Sequence, residues 1–347
     1  MAKKLSVIGP PRGLKLISKS VQTQGSPATH QLAGGPKTVH WGYFSATLKP
    51  VLTINSGDIV SIDSPHGDPA VYEAAGVPSH EIPQPLKDIH REVKEKGPGV
   101  HILVGPIYIN GAEPGDTLEV RIVDVKITAT FGYNSNRYGQ GALPEDFPYN
   151  ATRVVRMNLE KMTSEILPGV VIPLRPFWGI IGVAPLPMQG KIGSNAPGIH
   201  GGNLDNKELV AGTTLYLPVH NKGALFSAGD IHAVQGDGEV DQTALEAEGA
   251  GTFQLIVHKK KRLKWPRAET PTHYITMGLN EDLNIAAKMA VREMIEFLGE
   301  TKGIHPESAY MLASLAVDLR VTQVVDIVKG IHAMVPKSIF AGKGSTP

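Results

Sequence analysis

The chain has 347 residues, 41% of them hydrophobic and 19% charged, longer than one core usually grows, which predicts two packed parts. With 34 basic and 33 acidic residues the net charge is +1, leaving no global electrostatic case for nucleic acid or an anionic membrane. Cysteine is absent, so disulfides, thiolate zinc sites and a cysteine nucleophile are excluded together.

The chain opens on "MAKKLSVIGPPRG", whose apolar run is too short for a leader or a membrane span. No later run reaches that length, so the expectation is a cytoplasmic protein without a membrane partner. From Thr38 to Ile127 the pattern is β. "PVLTINSGDIVSID" (50–63) and "GPIYINGAEPGDTLEVRIVDVKI" (105–127) each read as strand, Gly-Asp turn, strand. Between them "HEIPQPLKDIHREVKEKGPG" (80–99) is polar and carries one short helix at most. "FGYNSNRYGQGALPEDFPYN" (131–150) reads as a long loop, as does "MQGKIGSNAPGIHGGNLDNK" (188–207); such loops suit lids or subunit contacts. Strands are expected at 177–185, 213–219, 230–235 and 251–265. The basic run 258–267 reads as a guarded strand edge or a subunit contact rather than a nucleic-acid patch. Helical periodicity appears at 280–300, behind an Asn-Glu-Asp cap, and at 306–320, with a short third element at 322–332. The predicted class is α+β, mostly β: sandwich- or barrel-like sheets with a C-terminal α/β portion. A first part would span 1–175 and a second 176–347.

"FSAGDIHAVQGDGEV" (226–240) packs four ionisable residues into a β-forming stretch. On a strand, Asp230 and His232 point to the same face and could converge on one divalent ion. Glu239, after the pliant Gly236-Asp237-Gly238, could reach back as a general base. The plain alternative is an Asp230 that caps a turn and a Gly-Asp-Gly that closes a hairpin.

The order of "GPIYINGAEPGDTLEVRI", "HGGNLD", "LYLPVHNKGALFSAGDIHAVQGDGEV", "ITMGLNEDLNIAAKMAV" and "AYMLASLAVDLRVTQVVD" resembles the acetamidase/formamidase family, over roughly His40 to Phe340. The resemblance implies hydrolysis of small neutral aliphatic amides to ammonia and a carboxylate, a β-rich fold and a homo-oligomer. It also implies a histidine-bearing stretch near "TVHWGYF", which selects His40, beside Trp41, as third metal ligand to Asp230 and His232. His66 and His101 remain alternatives. The expected cofactor is a divalent metal, zinc first, activating a water that Glu239 deprotonates. In "GIHGGNLD", Gly201 and Gly202 could offer an oxyanion hole, Asn203 and Asp205 could orient substrate, and His200 could donate a proton to the leaving ammonia; a tight glycine turn is the equal alternative. A chemistry without metal would need a serine such as Ser194 or Ser227. Two other readings keep the fold: a glycosidic or other C–N hydrolase using Asp237 and Glu239, and a binding module with a structural metal.

Overall fold

The computed structural model describes residues 27–340; the lysine-bearing start of the chain lies outside them. The expectation of a mostly β protein is met. Most strands join one extended, largely antiparallel system, organised on Thr117–Asn136, which runs 20 residues, and its partner Leu245–His258. Along the first of these the buried positions are Leu118, Val120 and Ile122, then Val125, Ile127, Ala129 and Phe131. The numbering of the buried side changes because Val123 is an extra residue opposite Thr252/Phe253, a bulge that keeps Val125 on the same face as Ile122. Further along, the strand reaches a second core. Leu118 to Val125 join the large cluster around Trp178 and Phe253, while Ala129 and Phe131 pack with Trp41, Tyr72 and Ile102.

Phe226–Val234 lies between Phe177–Gly182 and Ile102–Asn110, and its far end pairs with Leu245–His258. Strands on either side of residue 175 thus pair directly, as Thr117–Asn136 also does with Thr214–Pro218. The two Gly-Asp turns share one device. Asp58 Oδ2 accepts from Asn55 N and Asp116 Oδ2 from Glu113 N, each three residues back, and the second oxygens accept from Ala28 N and Lys260 N.

At the C-terminal end, helix Leu283–Lys302 starts where Asp282 Oδ1 accepts from Asn284 N and Ile285 N, and stops at Gly303 in the left-handed region (φ 66°). Ala286, Ala290, Met294 and Leu298, spaced by four, bury against Ile331, Ala333 and Val335. The helix sits so close to strand His273–Asn280 that a Cβ on Gly278 would lie 1.9 Å from Ala286 O.

The differences from the expected elements have local causes. "FGYNSN" extends Thr117–Asn136 instead of opening a loop, because it pairs with Ala151–Asn158. That strand and two more, Thr163–Leu167 and Val170–Pro173, form a ribbon that alternation did not flag, since its faces are half exposed. Helix Pro306–Ala316 ends sooner than expected, and Asp318–Gln323 becomes a strand against Lys329–Pro336. The 251–265 strand stops at His258. Lys259 then pairs with Asp116 and Lys264 with Glu296, so the basic run is partly neutralised within the chain. Among the described residues no helix is long and apolar enough to cross a membrane.

Candidate active site

Strands converge on a cluster of acids and histidines at the floor of a cavity of about 510 Å³. Asp230 and His232 come from Phe226–Val234, and Glu246 lies directly opposite His232 in the pairing. His66 follows strand Ile59–Ser64, His101 precedes Ile102–Asn110, Asp205 follows Gly201–Asn203, Glu239 follows Phe226–Val234, and Asp326 comes from the loop before Lys329–Pro336. Asp230, Asp205 and Glu239 hold left-handed backbone (φ 61°, 44° and 45°), a conformation worth about 1–3 kcal/mol of strain at a non-glycine residue. Three such residues at one spot indicate that the surroundings dictate where these carboxylates point.

The distances are short throughout. Asp230 Oδ1 is 3.3 Å from His66 Nδ1, and its Oδ2 is 3.3 Å from His232 Nε2 and 3.8 Å from His101 Nε2. Glu246 Oε2 is 3.2 Å from His66 Nε2 and 3.3 Å from His232 Nε2. Asp205 Oδ1 is 3.8 Å from His232 Nε2. Two groups of donor atoms, from His66, Asp230 and Glu246 and from Asp205, His232 and Glu239, each fall within 4.8 Å of one another. Gly179, on Phe177–Gly182, leaves the gap between them. A Cβ there would stand 2.7 Å from Asp205 Oδ1, 2.8 Å from Asp230 Oδ2 and 2.9 Å from His232 Nε2.

The electrostatics are lopsided. Burial, with Glu239 and Asp326 adding repulsion, pushes Asp205 well above the usual carboxylate range. Burial and Asp326 do the same to Glu239. Burial lifts Glu246 and Asp326 to about 7 each. Asp230 alone goes down: burial opposes it, but His101, His232 and His66 outweigh that. Burial would lower His232, yet Glu246 and Asp230 raise it well above 6.5. Asp205 Oδ1, Glu239 Oε2, Glu246 Oε2 and Asp326 Oδ2 have no hydrogen-bond partner among the described residues. Four buried carboxylates with orphaned oxygens are the arrangement that a bound cation would relieve.

Each histidine is aimed by a neighbour. His232 Nδ1 lies 2.9 Å from Gln235 Oε1, while Gln235 Nε2 donates to Asp205 O at 2.8 Å. His101 Nδ1 meets Ser194 Oγ at 2.9 Å, and His66 Nε2 meets Tyr133 Oη at 3.3 Å.

Of the residues singled out in the sequence, Asp230, His232, Glu239 and Asp205 meet in the cluster. Asn203 lines the cavity beside them, with Oδ1 unpartnered, and Trp41 lines its wall under Lys96 Nζ, 3.6 Å from the ring centroid. His40 does not join them. Its Nδ1 is held by Tyr43 O at 2.7 Å and its Nε2 by Ser227 Oγ at 2.9 Å, leaving no free nitrogen for a metal. His66 and His101, the alternatives, stand in the cluster instead. His200 packs edge-on to Phe44, outside the cavity lining. Gly201 and Gly202 are also absent from the lining; Gly201 N donates to Gly198 O, and both sit at φ 81° in close contact with neighbouring backbone or His200. They form a tight strand turn. Asp237 pairs with Arg320 and Lys207 rather than with Glu239. Ser194 and Ser227 are buried and outside the lining.

Sequence reasoning missed Glu246, Asp326, Tyr133 and Gln235. Two of them had a signal: Glu246 stands in the small-residue strand "ALEAEGAG", and Asp326 is an acid amid the apolar run "VVDIV".

A family model described as the Acetamidase/Formamidase family matches residues 87–190 and 192–342. The formamidase of Methylophilus methylotrophus is 27% identical over 314 residues, covering 70% of this chain and 77% of the relative. The acetamidase of Mycolicibacterium smegmatis is 28% identical over 199 residues, covering 41% of this chain and 49% of the relative. The chain spans about half the length of that acetamidase and of a Schizosaccharomyces pombe relative it also matches. Among solved structures, the acetamidase of Bacillus halodurans superposes with a TM-score of 0.76 at 31% identity, covering 91% of this chain and 100% of that one.

Proposed function

Because this chain belongs to the acetamidase/formamidase family, we propose that it hydrolyses short-chain aliphatic amides, releasing ammonia and a carboxylate. The observation that carries the reading is the buried cluster itself: carboxylates and imidazoles, several of their oxygens unpartnered, at the floor of a cavity that reaches solvent.

The residues fit a divalent ion. The gap at Gly179 is bounded by Asp205 Oδ1, Asp230 Oδ2 and His232 Nε2, with His66 and Glu246 beside it. These five would hold the ion, and nitrogen and oxygen donors without thiolate suit zinc. When bound, such an ion polarises the amide carbonyl and brings the pKa of a water toward neutrality.

The chain's own groups do the rest. Glu239, buried and with Oε2 free of partners, accepts the proton of the attacking water and delivers it to the amide nitrogen. The carbon–oxygen bond forms, the carbon–nitrogen bond breaks, and ammonia leaves. Asn203 Oδ1 accepts an N–H of the substrate amide, which orients the carbonyl away from it. Trp41, Val71 and Ile102 give the acyl chain an apolar wall.

The test is ammonia release from formamide and acetamide by purified protein, before and after chelation. Release that stops on chelation and returns with zinc supports the reading. Release indifferent to chelation removes the ion from it, and no release from either amide removes the activity.

A further inference from the structure

The cluster contains one side chain that touches two of its members without facing the cavity's carboxylates. Gln235 is buried, 8% exposed, and makes two contacts. Its Nε2 is 2.8 Å from Asp205 O, and its Oε1 is 2.9 Å from His232 Nδ1. A main-chain carbonyl oxygen only accepts, so the amide nitrogen must be the end at Asp205; the reverse assignment would press two acceptors together. That leaves Oε1 facing the imidazole. Oε1 also only accepts, so Nδ1 of His232 must carry a hydrogen.

We propose that Gln235 is a positioning residue that fixes the ring of His232, keeping the hydrogen on Nδ1 and presenting a bare Nε2 to the cluster. The inference rests on the reading that the cluster holds a divalent ion. Among the described residues, nothing else in contact with the ring enforces this. Phe177 touches it edge-on, with ring centroids 5.1 Å apart, and restrains tilt without choosing a nitrogen. On the Nε2 side, Asp230 and Glu246, each 3.3 Å away, attract a hydrogen onto that atom. In the neutral ring that an ion on Nε2 would require, the Gln235 amide opposes them. Through Asp205 O it also ties the ring's orientation to the backbone that presents the Asp205 carboxylate, so two donors are set by one side chain.

Two variants and two readouts test this. Gln235→Met keeps length and removes both polar contacts, whereas Gln235→Glu keeps an acceptor for Nδ1. Zinc affinity is measured by competition with a chelating dye, and the side-chain nitrogens of His232 are read by nitrogen-15 NMR on the zinc-loaded protein. In the wild type, His232 should show a protonated, hydrogen-bonded Nδ1 with zinc on Nε2. Gln235→Met should weaken zinc by about 10–100-fold, the range for losing a hydrogen bond behind a ligand imidazole. Gln235→Glu keeps the acceptor for Nδ1 but sets a second acceptor against Asp205 O, so its affinity should fall between wild type and Gln235→Met, which a merely space-filling role would not explain. Wild-type affinity in Gln235→Met overturns the inference alone. Should that variant not fold, the wild-type spectrum still decides, because zinc on Nδ1 or a missing Nδ1–H overturns it. Wild-type protein that takes up no zinc overturns the ion reading and, with it, the inference.

Discussion

Replacing Gly179 by alanine should separate the site from the fold. The backbone there is not in the left-handed region, so alanine meets no conformational penalty, and the cost that remains is the crowding of a new methyl against the site. The new methyl carbon would stand 2.7, 2.8 and 2.9 Å from Asp205 Oδ1, Asp230 Oδ2 and His232 Nε2. Carbon settles at about 3.5 Å or more from its neighbours, so these donors must each retreat by about half an ångström or more. Metal sites tolerate displacements of about 0.2 Å. The expected loss is therefore at least about tenfold in zinc affinity, or about 1.4 kcal/mol, with turnover falling alongside. Zinc titration and thermal melting of the zinc-free protein are measured side by side. Zinc binding weakened at least about tenfold, in a zinc-free protein that still melts cooperatively and loses no more than about 1–3 kcal/mol, bears the reasoning out. A Gly179→Ala protein that binds zinc as tightly as wild type refutes the placement of the ion's donors around this glycine.

Glu239→Gln should leave zinc uptake nearly intact and lower kcat by about 10²–10⁴-fold, the range for losing a general base; unchanged kcat in a steady-state ammonia assay would remove it from that role. Gly278→Val should lower the melting temperature, because the helix backbone at Ala286 O must move away; overpacking of this kind costs about 1–3 kcal/mol, readable by urea unfolding. Acid should destabilise the fold before the exposed carboxylates titrate. Burial lowers His40 and His332 from 6.5 to about 4, and His200 to about 3. Each is neutral in the fold and takes up a proton more readily when unfolded. Their contribution is thus complete above pH 6.5 and disappears as the pH falls toward 4, by up to about 3 kcal/mol each. Urea midpoints between pH 7 and 4 should fall accordingly, and His332→Gln should flatten part of that fall; a pH-independent midpoint would show these rings are not buried neutral.

Much of the fold was legible because its signals are local. Alternation marked the strands before Asn110 and after Thr117, and the Asp282 cap and four-residue spacing marked the long helix. The half-exposed ribbon 151–173 was not legible, since alternation needs one buried face. At the site, Asp230 and His232 could be paired from spacing alone because a strand places them together. The partner histidine could not be chosen that way. His40, His66 and His101 look alike in sequence, and the choice depends on pairing. Trp41↔Ile102 and His40↔Leu103 turn His40 toward Ser227, whereas His101, just before the same strand, falls beside Asp230. Glu246 was hidden similarly: its partner His232 lies across a ladder, not along the chain.

The strand pairings that cross residue 175 also govern when the cluster can exist. Its acids and histidines run from His66 to Asp326 along the chain, and the last of them sits beside the hairpin-like pair Asp318–Gln323 and Lys329–Pro336. During synthesis, most of the polypeptide must emerge before these carboxylates meet, and they meet as mutual repellents. Assembly of so many distant contacts is intrinsically slow. If the cluster holds the proposed ion, an ion present at that moment would favour the closed arrangement over every earlier one, because only the finished set of pairings brings its donors together. Metal supply during production of the protein should therefore set the yield of native chain, independently of whether any amide is ever offered to it.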